Sequence, residues 1–209
     1  MSQLLKQMFV ENQTPESFAL AYLGRQARIL QSLDVTQVAQ FIDLILKARD
    51  EDKTVFFMGN GGSASTASHF VNDISIGSRS AQKPFRSIGL SDNMAVISAI
   101  ANDYSYDDIF IAQLRYMLRA GDLVVGISCS GNSENILKAI GFANEQRAIT
   151  VGFTGFDGGK LKTEAQFNVH VPSAGGEYGQ VEDIHMIINH ILASYLFCLC
   201  EAETNALKS

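Results

Sequence analysis

Residues 54–65 read Thr54-Val55-Phe56-Phe57-Met58-Gly59-Asn60-Gly61-Gly62-Ser63-Ala64-Ser65, an apolar run that passes directly into glycines and hydroxyls and then into helical spacing. A short unbroken apolar run suits a strand covered on both faces, as in a parallel sheet, and the glycines after it suit a tight turn into a helix. The texture recurs downstream: strands are expected near Val55–Met58, Phe85–Gly89, Leu123–Ile127, Thr150–Phe153 and Phe167–Val171. Between them the spacing predicts helices over Ser63–Gly77, Asn93–Ala101, Asp107–Leu118 and Ser133–Glu145, a short turn at Gly158–Lys162, and a last helix from Glu182 to Cys200. Right-handed crossovers then give an α/β, doubly wound, five-stranded parallel sheet. Upstream, Phe18, Tyr22 and Leu23, then Val38, Phe41, Ile42, Ile45 and Leu46, mark a helical preface. The chain reads as one domain, 1–209, made of N-terminal helices (1–52) and an α/β core with a long C-terminal helix (53–209).

Composition narrows the function. With 16 Lys+Arg against 22 Asp+Glu, a net charge of −6, the chain lacks the basic excess of a nucleic-acid binder. No run approaches the ~18 consecutive apolar residues of a membrane span, and Met1-Ser2-Gln3-Leu4-Leu5-Lys6 has no signal-peptide character. A cytoplasmic protein without nucleic-acid or membrane partners is expected. Cys198 and Cys200 point to different faces of a helix, so they read as buried thiols rather than a metal pair.

Ligands of such sheets bind beyond the carboxyl ends of the strands. That selects the loops 59–65, 91–93, 128–133, 154–159 and 173–182. In Ser128-Cys129-Ser130-Gly131-Asn132-Ser133, hydroxyls and free backbone N–H groups converge on a helix N-terminus, which favours an anion. The first loop repeats the arrangement, with Ser63 placed to cap the helix that follows. Neither loop has the Lys-Ser/Thr pair of a nucleotide-binding loop, so the anion is read as the phosphate of a small molecule.

The ordered motifs Gly59-Asn60-Gly61-Gly62-Ser63-Ala64, Ala101-Asn102-Asp103, Ser128 through Ser133 and Thr154-Gly155-Phe156-Asp157-Gly158-Gly159-Lys160 together resemble the sugar isomerase (SIS) domain, and within it the phosphoheptose isomerases. The likeness spans nearly the whole chain. It implies a flavodoxin-like sheet, a homotetramer with sites where subunits meet, and conversion of sedoheptulose 7-phosphate to D-glycero-D-manno-heptose 7-phosphate for heptose biosynthesis. It also implies substrate contacts at Asn60, Gly61, Gly62, Asn102, Asp103, Ser128, Cys129, Ser130, Ser133 and Glu182, to which the loop reading adds Ser63.

Moving a proton between C1 and C2 of an open-chain sugar requires a base, an acid and stabilisation of the enediolate. His69 and Asp73 are i and i+4 on one helix face, and the last helix offers Glu182, Asp183, His185 and His190. The resemblance implies that His69, Asp73, Glu182 and His190 hold Zn2+ and in part perform the proton transfers; two imidazoles and two carboxylates also suit another divalent metal. Two positions depart from the family pattern, which has Glu at Asp73 and Gln at Glu182. Asp73 is therefore expected to draw back toward the metal and Glu182 to carry the proton, with His190 opposite. The family's Arg falls at Gly77, leaving Arg79 or Lys83 for the far end of the substrate. An intact helix would hold Glu182 and His190 roughly 12 Å apart along its axis, so joining them on one ion needs both to lean inward or Glu182 to precede the first turn. His170 is read as structural, and His185 either as structural or as a group supporting the site residues from behind. Glu177 and Tyr178, on a glycine-rich approach, are read as a lid or a plain surface loop. The competing readings are a non-catalytic phosphosugar-binding protein and an isomerase of another sugar phosphate.

Overall fold

A computed structural model describes residues 3–80 and 82–206, so the outermost positions of the 1–209 domain lie outside the described residues. Five strands, β1 (Thr54–Gly59), β2 (Arg86–Gly89), β3 (Leu123–Ser128), β4 (Ile149–Thr154) and β5 (Phe167–His170), form one sheet in the order β2-β1-β3-β4-β5. Every pairing is parallel. The strand order reverses between β1 and β3, which pair from Val55↔Leu123 to Gly59↔Ile127. The loops leaving β1 and β3 therefore open side by side onto the crevice that such a reversal creates.

The strands read as unbroken apolar runs because both faces are covered. Val55, Phe57, Val125, Ile127, Val151 and Phe153 pack with α3 (Val35–Asp50), α4 (Gly62–Asn72) and α9 (Tyr178–Ala206). Phe56, Met58 and Val124 face the other way, toward α6 (Ile111–Met117), α7 (Glu134–Glu145) and α8 (Leu161–Glu164). Of the helical preface, α1 (Gln3–Glu11), α2 (Pro15–Gln31) and α3, the last two join this core through Ile29 and through Val38, Phe41 and Ile45. Phe41 of α3 meets Phe153 edge-on at 4.9 Å, while Phe70 of α4 stacks on Phe57 at 5.1 Å.

Several element ends differ from expectation, and the differences bear on the site. The turn into α4 is capped by Gly61, at φ 54°, with no side-chain cap bond, so Ser63 lies inside the helix rather than before it. The expected helix 63–77 ends at Asn72 and widens into a π-turn, Asp73–Gly77. The expected helix 107–118 divides into a 3-10 turn, Tyr106–Asp108, and α6, and α5 (Met94–Asp103) runs two residues further than expected. α9 starts at Tyr178, four residues early, and continues to Ala206. Although α9 is long and apolar enough by composition to cross a membrane, Val181, Ile184, Ile188, Leu192 and Leu196 are sealed in the core beside the sheet.

Candidate active site

The hydroxyl-rich cradle is built by nesting one loop on another. Gly131, at φ 63°, lies so close to the Gly158 carbonyl that a Cβ would overlap it, and no other residue fits that approach in that conformation. Leu161 N–H donates to Gly131 O (2.9 Å) and Gly155 N–H to Cys129 O (2.9 Å), fixing loop 128–133 against the turn after β4. Ser133 stands at the N-cap position of α7 but makes no side-chain cap bond; its hydroxyl instead lies 3.0 Å from Ser128 Oγ. Two hydroxyls and the uncapped N-terminus of a 12-residue helix thus face one spot, with Ser130 on the same loop.

The first glycine loop is tied to this cradle. The Asn60 and Asn135 carboxamides exchange hydrogen bonds at 2.9 and 3.0 Å, and Tyr106 donates to Asn60 Oδ1 at 2.8 Å. Ser63, buried in α4, approaches Cys129 Sγ to 4.0 Å. Neither Asn135 nor Tyr106 stood out in the sequence, because an Asn inside an apolar helix and a surface Tyr carry no spacing signal. Asn102 and Asp103 are exposed at the end of α5, where Asn102 donates to Asp103 (2.9 Å), shortly before Tyr106 reaches Asn60.

Glu182 lies where the two loops meet. The missing side chain of Gly62 makes room for it, since a Cβ on Gly62 would overlap all three carboxylate atoms. Burial, and secondarily the Asp183 carboxylate, push the Glu182 carboxyl above its ordinary range. Burial, with help from the Glu182 charge, lifts the Cys129 thiol to about 11, which keeps it protonated beside the crevice.

His69, Asp73 and His190 form a second group further along the α4/α9 seam. One potential ligand atom from each lies within 4.8 Å of the others. His69 Nε2 is 3.3 Å from Asp73 Oδ2, and the two imidazole rings meet edge-on at 5.1 Å. Asp73 opens the π-turn, a widening that often marks functional positions. Its Oδ2 accepts from Asn189 Nδ2 at 2.7 Å and its Oδ1 from Asn72 Nδ2 at 3.1 Å. Two imidazoles and a carboxylate in this grouping fit zinc, which commonly takes three protein ligands and leaves a position open. Glu182 does not join the group. Because α9 is unbroken from Tyr178, eight residues separate Glu182 from His190 by about 12 Å. α4 runs alongside, with Gly62 level with Glu182 and Asp73 level with Asn189.

The remaining candidates are engaged elsewhere. Glu177 is neither lid nor surface loop: its fully buried carboxylate takes two hydrogen bonds from Arg25 (both 2.8 Å) and one from Ala174 N–H (2.7 Å). Burial raises that carboxyl, but these donors more than reverse it and hold it below the ordinary range. Tyr178 belongs to α9, and Tyr22 donates to Asp183 at 3.2 Å, so α2 latches the start of the helix that carries Glu182. Arg79 lies over the Phe197 ring and Lys83 bonds Asp50 (2.6 Å), so both expected replacements for the family's Arg already have partners. His185 is fully buried with Nε2 3.4 Å from Thr154 O; burial lowers it to about 4, a neutral core histidine. His170 Nδ1 pairs with Thr154 Oγ1 at 2.9 Å.

A doubly wound sheet whose hydroxyl-rich loops flank a half-buried carboxylate defines a phosphosugar-binding class, and the SIS domain model matches residues 21–155. Among curated proteins, the phosphoheptose isomerase of Clostridium acetobutylicum is 37% identical over 158 residues, covering 76% of this chain and 80% of that protein. That of Helicobacter pylori strain P12 is 32% identical over 173 residues, covering 82% and 89%. The solved structure of phosphoheptose isomerase from Neisseria gonorrhoeae superposes with a TM-score of 0.80 at 28% identity, covering 88% of this chain and 98% of that one. The chain belongs to the phosphoheptose isomerase family of SIS-domain proteins.

Proposed function

We propose that this protein is an aldose-ketose isomerase that converts sedoheptulose 7-phosphate to D-glycero-D-manno-heptose 7-phosphate through an enediolate, within heptose biosynthesis. The observation that carries the reading is the Glu182 carboxylate seated on Gly62, between the first glycine loop and the hydroxyl-rich cradle. Ser128, Ser130, Ser133 and the α7 N-terminus hold the phosphate; the sugar chain then runs past Asn60, Gly61, Gly62 and Ser63 toward Glu182, bordered by Asn102 and Asp103. Glu182 takes the proton from C1 of the ketose and returns it to C2, while the C1 hydroxyl loses its proton and the C2 oxygen gains one. Its elevated proton affinity suits that task, because a base nearer the working pH both accepts and releases a proton efficiently. Cys129, kept as a neutral thiol, adds no competing charge there.

His69, Asp73 and His190 are the residues to hold Zn2+, and the ion when bound supplies Lewis-acid stabilisation of negative charge developing on a sugar oxygen. Glu182, about two helix turns away on the same chain, is assigned to proton transfer and substrate rather than to the ligand set, and His190 to the metal rather than to a proton shuttle. Exposed apolar side chains on α2 (Leu20, Leu23), α5 (Met94) and α9 (Ile191, Tyr195) support burial between subunits, as in a homotetramer. A cytoplasmic location goes with that biosynthetic role.

The test is incubation with sedoheptulose 7-phosphate in deuterated water, followed by NMR. Solvent deuterium at C1 or C2 together with aldose signals is the expected result. A sample that binds the sugar phosphate yet exchanges no carbon-bound proton would refute the isomerase reading.

A further inference from the structure

The geometry points to Asn189 as a positioning residue that aims the Asp73 carboxylate into the His69/His190 group, an inference that rests on reading that group as a metal site. Asn189 is completely buried on α9 between Ile188 and Leu192, and it donates to Asp73 Oδ2 at 2.7 Å across the α4/α9 seam. The direction of the bond is fixed by chemistry, because an ionised carboxylate only accepts. The other end of the amide, Oδ1, is buried without a hydrogen-bond partner among the described residues, and Nδ2 also contacts Met186 Sδ at 3.9 Å. A buried carbonyl left unpaired opposes folding, so the amide is poorly explained as core packing. What it does accomplish is to anchor one oxygen of Asp73.

Asp73 needs such an anchor for two reasons visible here. Its short side chain has little reach, so small changes in its torsions carry the oxygens away from the imidazoles. It also sits on the first residue of the π-turn Asp73–Gly77, where the regular α-helical frame is lost. With Asn189 on Oδ2 and Asn72 on Oδ1, both oxygens are held, and Oδ2 stays 3.3 Å from His69 Nε2. Hydrogen bonds of this kind to ligating carboxylates typically contribute on the order of 10- to 100-fold in metal affinity.

The experiment compares the full-length protein with Asn189→Leu, which keeps the branched shape and removes the donor. Zn2+ affinity is read by competition with a chromophoric chelator, and Co2+ spectra report on the ligand field. The expected result is a loss of roughly 10- to 100-fold in Zn2+ affinity with altered Co2+ bands. In an Asp73→Ala background the same substitution should change nothing further, because Asn189 acts through Asp73. If Asn189→Leu does not fold, Asn189→Ser is read in its place, being too short to reach Asp73. Zn2+ affinity within twofold of the parent, or an undiminished loss in the Asp73→Ala background, overturns the assignment of Asn189. A parent protein that binds neither ion overturns the metal reading itself, a different result from equal binding by parent and variant.

Discussion

Replacing Gly62 by Ala tests the placement of Glu182 with a single methyl group. A Cβ at this position would stand 2.5 Å from Glu182 Oε1 and closer still to Cδ and Oε2, whereas ordinary contacts begin near 3.4 Å. The carboxylate must therefore withdraw by about 1 Å, and a misplacement of that size costs on the order of a hundredfold in rate, or about 2.7 kcal/mol of barrier. Stability should scarcely change, because the atoms in the way are the far end of a flexible side chain and Ala is the better helix former at the start of α4. The assay pairs kcat, from proton exchange and aldose formation by NMR, with a circular dichroism melt. Adding Glu182→Asp, one methylene shorter, should relieve the overlap, so the double variant should be less impaired than the product of the single effects. A Gly62→Ala enzyme with kcat within threefold of the parent would refute the idea that Glu182 works from this position.

Glu182→Gln should lower kcat by about 10²- to 10⁴-fold while leaving Zn2+ affinity unchanged by chelator competition, since the carboxylate is separate from the three-residue group. His190→Ala should do the reverse in binding, losing Zn2+ measurably by the same titration. Arg25→Leu strands the buried Glu177 carboxylate and should cost about 3 kcal/mol in urea unfolding, the scale for removing one partner of a buried pair. His185 is neutral in the fold down to about pH 4, whereas the unfolded chain takes up its proton near 6.5. Its contribution is thus fully present above pH 6.5 and is lost progressively as the pH falls toward 4, by at most about 3 kcal/mol; His185→Gln should flatten urea midpoints across that window.

The sheet was legible because burial on both faces leaves unbroken apolar runs such as Val55–Met58 and Leu123–Ile127, bounded by the glycines and serines of the turns. The hydroxyl cradle was legible too, since helix-terminus chemistry is local. What resisted reading were pairings between distant segments. Glu177 resembles a loop residue until Arg25, 152 positions away, is seen against it. Asn189 is one amide in an apolar helix, and its partner Asp73 lies 116 positions upstream. Ser63 looks like a cap because serines cap helices, but Gly61 adopts a φ of 54° and starts the helix first. The spacing of Glu182 and His190 already warned that one ion would join them with difficulty, and the early start of α9 at Tyr178 removes the escape of placing Glu182 before the helix.

The nesting of Gly131 against Gly158 and Gly159 also constrains how this scaffold changes over generations. Loop 128–133 and the turn after β4 share backbone hydrogen bonds and leave no space for a Cβ between them, so an insertion or deletion in either is tolerated only with a matching change in the other. The hydroxyl-rich end of the cleft is thereby a single backbone-locked unit. The opposite end, around Gly62, Glu182 and the α4/α9 seam, is set instead by contacts between single side chains.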